Sequence, residues 1–178
     1  IYKSNIDNEN ESLEKFYKSV NRRSKGIITT SGKNKLINEL YERFFKNAFP
    51  ITAKKLGIVY TPQEIVDFML RSTDYLSKIN FSKKFDDKNV HILDPFTGTG
   101  TFISRLIQSD LISQKNLTYK YENEIHANEI VLLAYYIANI NIESVFQDIV
   151  KSNSYKPYEG IVLTDSFQLY EQDRDMIA

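Results

Sequence analysis

The chain has no cysteine, two histidines and four prolines among its 178 residues. Without cysteine there is no disulfide, no thiolate nucleophile and no zinc–thiolate centre. The histidines, His91 and His126, stand 35 positions apart. That spacing is a poor basis for a metal site, so no metal is expected and both rings are read as structural. No apolar run approaches the roughly 20 residues that span a bilayer. The opening residues, Ile1-Tyr2-Lys3-Ser4-Asn5, lack the apolar stretch of a secretory signal. A cytoplasmic protein is expected. The first residue is not Met, so a piece of a longer chain is expected too.

Hydrophobic residues make up 42% and charged residues 26%, as in ordinary soluble domains. The length suits one compact domain, or one domain with a helical appendage. The formal net charge is zero but uneven: residues 1–90 hold 17 Lys/Arg against 11 Asp/Glu, and residues 91–178 hold 6 against 12. A basic front half can lie on nucleic-acid phosphates. Solvated helices rich in Lys read the same way, so charge alone supports a nucleic-acid role only weakly.

Three- and four-residue apolar steps predict a helix over 8–21, with Leu13, Phe16, Tyr17 and Val20 on one face. After a break at 26–32 a second helix is expected from Lys33 to Ala48, ended by Pro50. A third is expected to start at Thr61-Pro62, with Thr61 as cap and Pro62 as first helical residue. It carries Ile65, Val66, Phe68, Met69 and Leu76, and fades into a polar loop over 82–89. The period then changes. Val90-His91-Ile92-Leu93 reads as a buried strand ending at Asp94-Pro95, and a helix with Phe102, Ile103, Leu106 and Ile107 follows. A second strand is expected within 120–128. A helix over about 129–141 should turn Ile130, Leu133, Ala134 and Ile137 inward, and a third strand should cover 160–164. Strands alternating with helices predict an α/β fold with a parallel sheet behind an all-helical lead-in. The boundary is set between 1–56 and 57–178. The tyrosines at 119, 121, 135, 136, 155 and 158 are spaced for packing and sheet edges rather than for base stacking.

The turn after the first strand is Asp94-Pro95-Phe96-Thr97-Gly98-Thr99-Gly100-Thr101-Phe102. Its two glycines permit a sharp bend and close ligand approach. The helix start beyond it suits an anionic group such as a carboxylate. Asp94, at the strand's carboxyl end, can attract a cation such as an amino group. A phosphate-binding P-loop needs Lys after the last glycine, and none follows Gly100. The stretch from Gly26 to Gly32-Lys33-Asn34 is one residue too long and has Asn where a hydroxyl belongs. A nicotinamide-binding turn needs a third glycine where Ile103 stands, and Glu129 lies 29 residues past Gly100 rather than about 20. An acid followed by G-x-G, binding a methionine moiety, is the reading that fits.

Asp94-Pro95-Phe96-Thr97-Gly98-Thr99-Gly100 resembles the D-P-x-x-G-x-G motif of adenine-N6 DNA methyltransferases whose cofactor half precedes their catalytic motif. Gly57 to Phe68, with Tyr60-Thr61-Pro62 at its centre, resembles the motif that opens the same order, and Pro62 stands 32 residues before Asp94. With the lead-in helices, the chain is similar to the methylase region of large restriction–modification proteins that also contain a helicase-like motor, the Type ISP group among them. The resemblance runs from about Glu14 to Tyr170. It implies a Rossmann-like S-adenosylmethionine-dependent fold. It further implies that Asp94, Phe96, Thr97, Gly98, Thr99, Gly100, Thr101 and Phe102 hold the cofactor's methionine end, with Tyr60, Thr61 and Pro62 closing over it. Ala127-Asn128-Glu129-Ile130 resembles the second motif, in which Glu129 takes the ribose hydroxyls and Ile130 packs on the adenine. Glu124 competes with Glu129 for that role. Thr164-Asp165-Ser166-Phe167 resembles the third, in which Asp165 accepts from the adenine amino group and Phe167 lies against the ring.

The family's catalytic [DN]-P-P-[YFW] loop is missing, since Pro50, Pro62, Pro95 and Pro157 are all isolated. No catalytic residue is therefore assigned. The expectation is a cofactor-binding portion, inactive alone, that stops short of the catalytic loop. The resemblance implies DNA as partner through a parent chain carrying that loop and a target-recognition region; whether helicase and nuclease regions share that chain stays open. A non-catalytic methyltransferase-like module stays open, as does a methyltransferase of RNA or protein. An open sheet ending at its third strand is expected to be marginally stable or to self-associate.

Overall fold

A computed structural model describes residues 18–27, 29, 32, 36, 37, 39, 40, 61–151 and 154–167. The helix expected over 8–21 is described only from residue 18, where 18–24 are helical. The helix expected over 33–48 lies mostly outside the described residues, as does Tyr60.

Helix α1 (Gln63–Phe81) opens the α/β part. Pro62 is its N-cap rather than its first helical residue, with an extended backbone and no side-chain cap bond. The Pro62 carbonyl accepts from the N–H groups of Ile65 and Val66, closing the first turn, and the cap position falls on Pro62 rather than Thr61. Strand β1 (Ile92–Asp94) leads through the glycine turn into α2 (Thr101–Gln108). A helix with no counterpart in the sequence reading follows, α3 (Gln114–Asn123). Then come β2 (Ile125–Glu129), α4 (Leu132–Val150) and β3 (Ile161–Leu163).

The three strands form a parallel sheet in the order β1-β2-β3. Asp94 lies beside Ala127, and Glu129 beside Leu163, so the carboxyl ends come out together. One face is dry. Ile125, Ala127 and Ile161 meet Ile103, Leu106 and Ile107 of α2, Leu117 and Tyr121 of α3, and Ala138, Ile142, Val145 and Phe146 of α4. The Tyr121 and Phe146 rings stack with centroids 3.7 Å apart. Helix α1 joins through Val66 and Leu70. Its other apolar residues, Ile65, Phe68, Met69, Tyr75, Leu76, Ile79 and Phe81, are exposed.

Helix α4 corrects the expectation for 129–141 in both length and face. Its buried residues are Ala134, Ala138, Asn141, Ile142, Val145 and Phe146, while Leu133 and Ile130 are exposed. Small Ala138 lets the helix approach Gly100 closely. Of the six tyrosines, Tyr121 and Tyr158 are in the core, Tyr135 packs against it, and Tyr119, Tyr136 and Tyr155 are exposed.

Candidate functional site

Parallel strands collect their strand-to-helix turns at one edge, beyond the carboxyl ends, and crevices in open α/β sheets form there. Here that edge carries the segments after Asp94, Glu129 and Leu163.

The first segment is held from three sides. The Thr97 N–H donates to the Asn128 carbonyl at 3.0 Å, joining the turn to β2. Thr97 Oγ1 donates to the Asp94 carbonyl at 3.0 Å. Asn141 Nδ2 donates to the Thr99 carbonyl at 2.9 Å, joining the turn to α4. Both glycines have positive φ, +58° at Gly98 and +81° at Gly100, a region costly for other residues. Their surroundings differ. A Cβ on Gly100 would lie 3.1 Å from the Ala138 Cα and 3.1 Å from Ile142 Cγ1, whereas one on Gly98 would meet nothing within 4 Å. Gly100 seats the turn against α4. Gly98 leaves open space at the mouth.

Glu129 is 8% exposed and braces the turn. One carboxylate oxygen accepts from the Gly98 N–H at 2.7 Å, the other from the Val131 N–H at 2.7 Å. A carboxylate has about four acceptor positions, so two remain for hydroxyl donors. Glu124 sits at the opposite end of β2, with Lys120 Nζ at 2.5 Å and the Asn89 N–H at 2.8 Å. Burial pushes its carboxyl up, but the bonds from Lys120 and Asn89 outweigh this and hold it below the ordinary carboxylate value. Glu124 therefore closes the 87–90 loop and is remote from the carboxyl-end crevice.

Asp94 is the unusual group. Its Oδ1 accepts a long bond from the Phe96 N–H at 3.3 Å. Its Oδ2 is buried without a partner. Burial pushes its pKa up to about 6, aided by the charge of Glu129 and opposed by the Phe96 N–H. An unpartnered buried acceptor costs on the order of 1–3 kcal/mol, and more for a charge. Such an oxygen suits a cationic donor.

The third segment closes the crevice. Ser166 Oγ donates to the Pro95 carbonyl at 2.7 Å and accepts from Asn128 Nδ2 at 3.3 Å. Asp165 Oδ1 accepts from the Phe167 N–H at 2.9 Å. This brings the Phe96 and Phe167 rings to 5.3 Å between centroids, with 61% and 79% of the residues exposed. Ile130 is exposed too. Thr101 begins α2, and Phe102 packs on the core below.

Thr61 and Pro62 reach the same end by way of two ion pairs. Asp67 takes both Arg105 Nε at 2.8 Å and Nη2 at 2.6 Å, and Arg71 pairs with Asp110 at 2.8 Å. The partners rise together in number, so α1 runs parallel to α2. Its start at Pro62 therefore shares the edge where α2 starts.

Asn128, Ser166 and Asn141 have structural roles at the site that the sequence reading did not assign. Asn141 carried a signal, as a polar residue at an inward step of an apolar helix. Asn128 and Ser166 carried none beyond their place in the motifs.

Residues 32–176 match the family model described as N-6 DNA Methylase. No curated protein matches the chain. Among solved structures it is similar to a chain of the DrdV–DNA complex determined by cryo-electron microscopy, with 42% identity, a TM-score of 0.80, and 89% of this chain and 15% of that one covered. It is similar to the ATP-dependent Type ISP restriction-modification enzyme LlaBIII bound to DNA, with 51% identity, a TM-score of 0.73, and 92% and 11% covered. It is similar as well to a nuclease-deletion mutant of the Type ISP enzyme LlaGI with a DNA substrate mimic, with 48% identity, a TM-score of 0.71, and 90% and 13% covered. The chain thus spans only about a ninth to a seventh of those chains.

Proposed function

This chain belongs to the N-6 DNA methylase family, and we propose that it is the S-adenosylmethionine-binding part of a site-specific DNA adenine-N6 methyltransferase in a restriction–modification enzyme. One observation carries the cofactor reading: a buried carboxylate oxygen with no partner, Asp94 Oδ2, beside the open turn at Gly98. Asp94 would take the cofactor's ammonium group. The free N–H groups at the start of α2 would take its carboxylate. The remaining acceptor positions of Glu129 would take the ribose hydroxyls. Ile130 and Phe167 would flank the adenine, with Asp165 accepting from its amino group, and Phe96 would lie at the methionine end. Thr61 and Pro62, with Tyr60 before them, would close the methionine end. When bound, S-adenosylmethionine supplies an electrophilic methyl group on a sulfonium. This chain's residues hold and orient it.

DNA enters the proposal through the three similar chains, whose structures are described with DNA or a DNA mimic. The four isolated prolines leave no [DN]-P-P-[YFW] loop in these 178 residues. We therefore expect no methyl transfer from this chain alone. Residues 57–178 are proposed as the methyltransferase part and 1–56 as a helical lead-in.

Calorimetric titration of the chain with S-adenosylmethionine tests the reading. Binding should be saturable, and weaker by at least about tenfold in Glu129→Ala and in Asp94→Ala, the loss of about one charge-assisted contact. A folded chain that binds no cofactor, or whose affinity both changes leave untouched, rules the assignment out.

A further inference from the structure

Among the described residues, the crevice gathers acids with no cation paired to Asp94. Asp94 stands at the end of β1, with Glu129 facing it from β2 and raising its proton affinity. Tyr158, from the segment before β3, donates to the Ile125 carbonyl at 3.0 Å. The charge of Asp94 and burial both push that phenol upward, so it stays neutral. Asp165, after β3, is turned to the Phe167 N–H. Helix α2 has no acid in its first turn, and its Arg105 is paired with Asp67. Among the described residues no Lys, Arg or His pairs with Asp94, and its Oδ2 has no donor at all. A desolvated carboxylate with a second negative charge in its field does not ionise readily. The proton is the smallest cation that relieves the pair.

On the cofactor reading of this site, we propose that on the acid side of neutrality Asp94 carries a proton in the crevice without ligand, and that S-adenosylmethionine's ammonium group displaces it to solvent on binding. Only the carboxyl O–H bond breaks, and water or buffer takes the proton. One proton leaves the carboxyl as one N–H···O⁻ contact forms, and the charge on the site is conserved. The consequence is a specificity rule. A ligand with the ammonium group competes with protons. A nucleoside without it does not.

The experiment uses two ligands on the whole chain. S-Adenosylmethionine is titrated at pH 6 in buffers of different ionisation enthalpy, and again at pH 7 and pH 5.5. The same is done with 5′-methylthioadenosine, which keeps the nucleoside and lacks the amino acid. With the Asp94 pKa at about 6, S-adenosylmethionine should release about half a proton at pH 6 and bind about fourfold more weakly at pH 5.5 than at pH 7. Methylthioadenosine should release none and bind equally at both. S-Adenosylmethionine binding without proton release overturns the exchange and leaves the cofactor reading standing. Equal proton release by both ligands also overturns it, since the proton then belongs to the nucleoside end. A folded chain that binds neither ligand at pH 7 overturns the cofactor reading and this inference together.

Discussion

A carboxylate that leaves water without a partner destabilises the fold that buries it. Asp94 is in that position, and its pKa rises from the ordinary 3.8 to about 6. The native state therefore holds this proton more tightly than the unfolded chain. Stability from this residue is greatest below about pH 4, falls as pH rises toward 6, and is fully lost above it. The rise corresponds to about 3 kcal/mol at pH 7. Asp94→Asn keeps the shape and removes the charge. We expect the variant to be more stable than the parent at pH 7, by up to about 3 kcal/mol, with the gap narrowing toward zero at pH 4. Urea unfolding of both chains at the two pH values measures it. A variant less stable at pH 7 would mean that Asp94 has a stabilising partner in the native state. Lys120 and Glu124 present the opposite case. Both are 1% exposed, and Lys120 Nζ also donates to the carbonyls of Asp87 and Val90. A satisfied buried pair reads in sequence as two ordinary charges. Glu124 therefore competed with Glu129 for the ribose on paper, and only its place at the wrong end of β2 separates them.

At the scale of elements, the turn between β1 and α2 was readable because its requirements are local. A strand ends in Asp-Pro, and two glycines take positive φ within three residues. Helix α3 was not readable because its start is capped from a distance. Asp86 Oδ1 accepts from the Ser113 N–H at 2.9 Å, from Ser113 Oγ at 2.9 Å and from Asn116 Nδ2 at 3.0 Å. No local pattern encodes a cap 27 residues upstream. Apart from Leu117 and Tyr121, its buried residue is Lys120, which disguises the apolar face. The inward face of α4 was misread for a related reason. Periodicity favours the bulky Leu133 and Ile130, while the close approach of Gly100 requires Ala138. The two glycines should therefore respond differently to one methyl group. Gly98→Ala meets open space and should cost about 1–2 kcal/mol, the backbone penalty alone. Gly100→Ala adds a clash with the α4 backbone and should cost about 3 kcal/mol or more. Thermal unfolding of the two variants checks the order, and equal losses would mean that α4 yields to the added methyl.

Among the described residues, many large apolar side chains lie exposed. On α1, Ile65, Phe68, Met69, Tyr75, Leu76 and Ile79 are all exposed, and their helical angles fall within a single arc of about 120°. On the sheet, Leu93 is exposed beside His126, and Val162 is exposed beside Asn128. Parallel sheets are ordinarily covered on both faces. The His91 and His126 rings, joined by a 2.9 Å hydrogen bond, do not cover this one. Apolar patches of that extent mark contact surfaces. The net charge of zero also removes the repulsion that keeps copies apart. We expect the isolated chain to self-associate, with a melting temperature that rises with concentration. Two forces could drive this, and salt separates them. The basic front half and acidic back half favour head-to-tail pairing, which screening weakens over about 10 Å at 0.1 M. Apolar contact is not weakened by salt. Sedimentation at low and high salt should show association that persists, and Phe68→Lys with Ile79→Lys should reduce it if α1 is the seat. Loss of association in salt would assign it to charge. A monomer at every concentration, melting cooperatively, would mean that the exposed arc is tolerated in water and that neither force suffices.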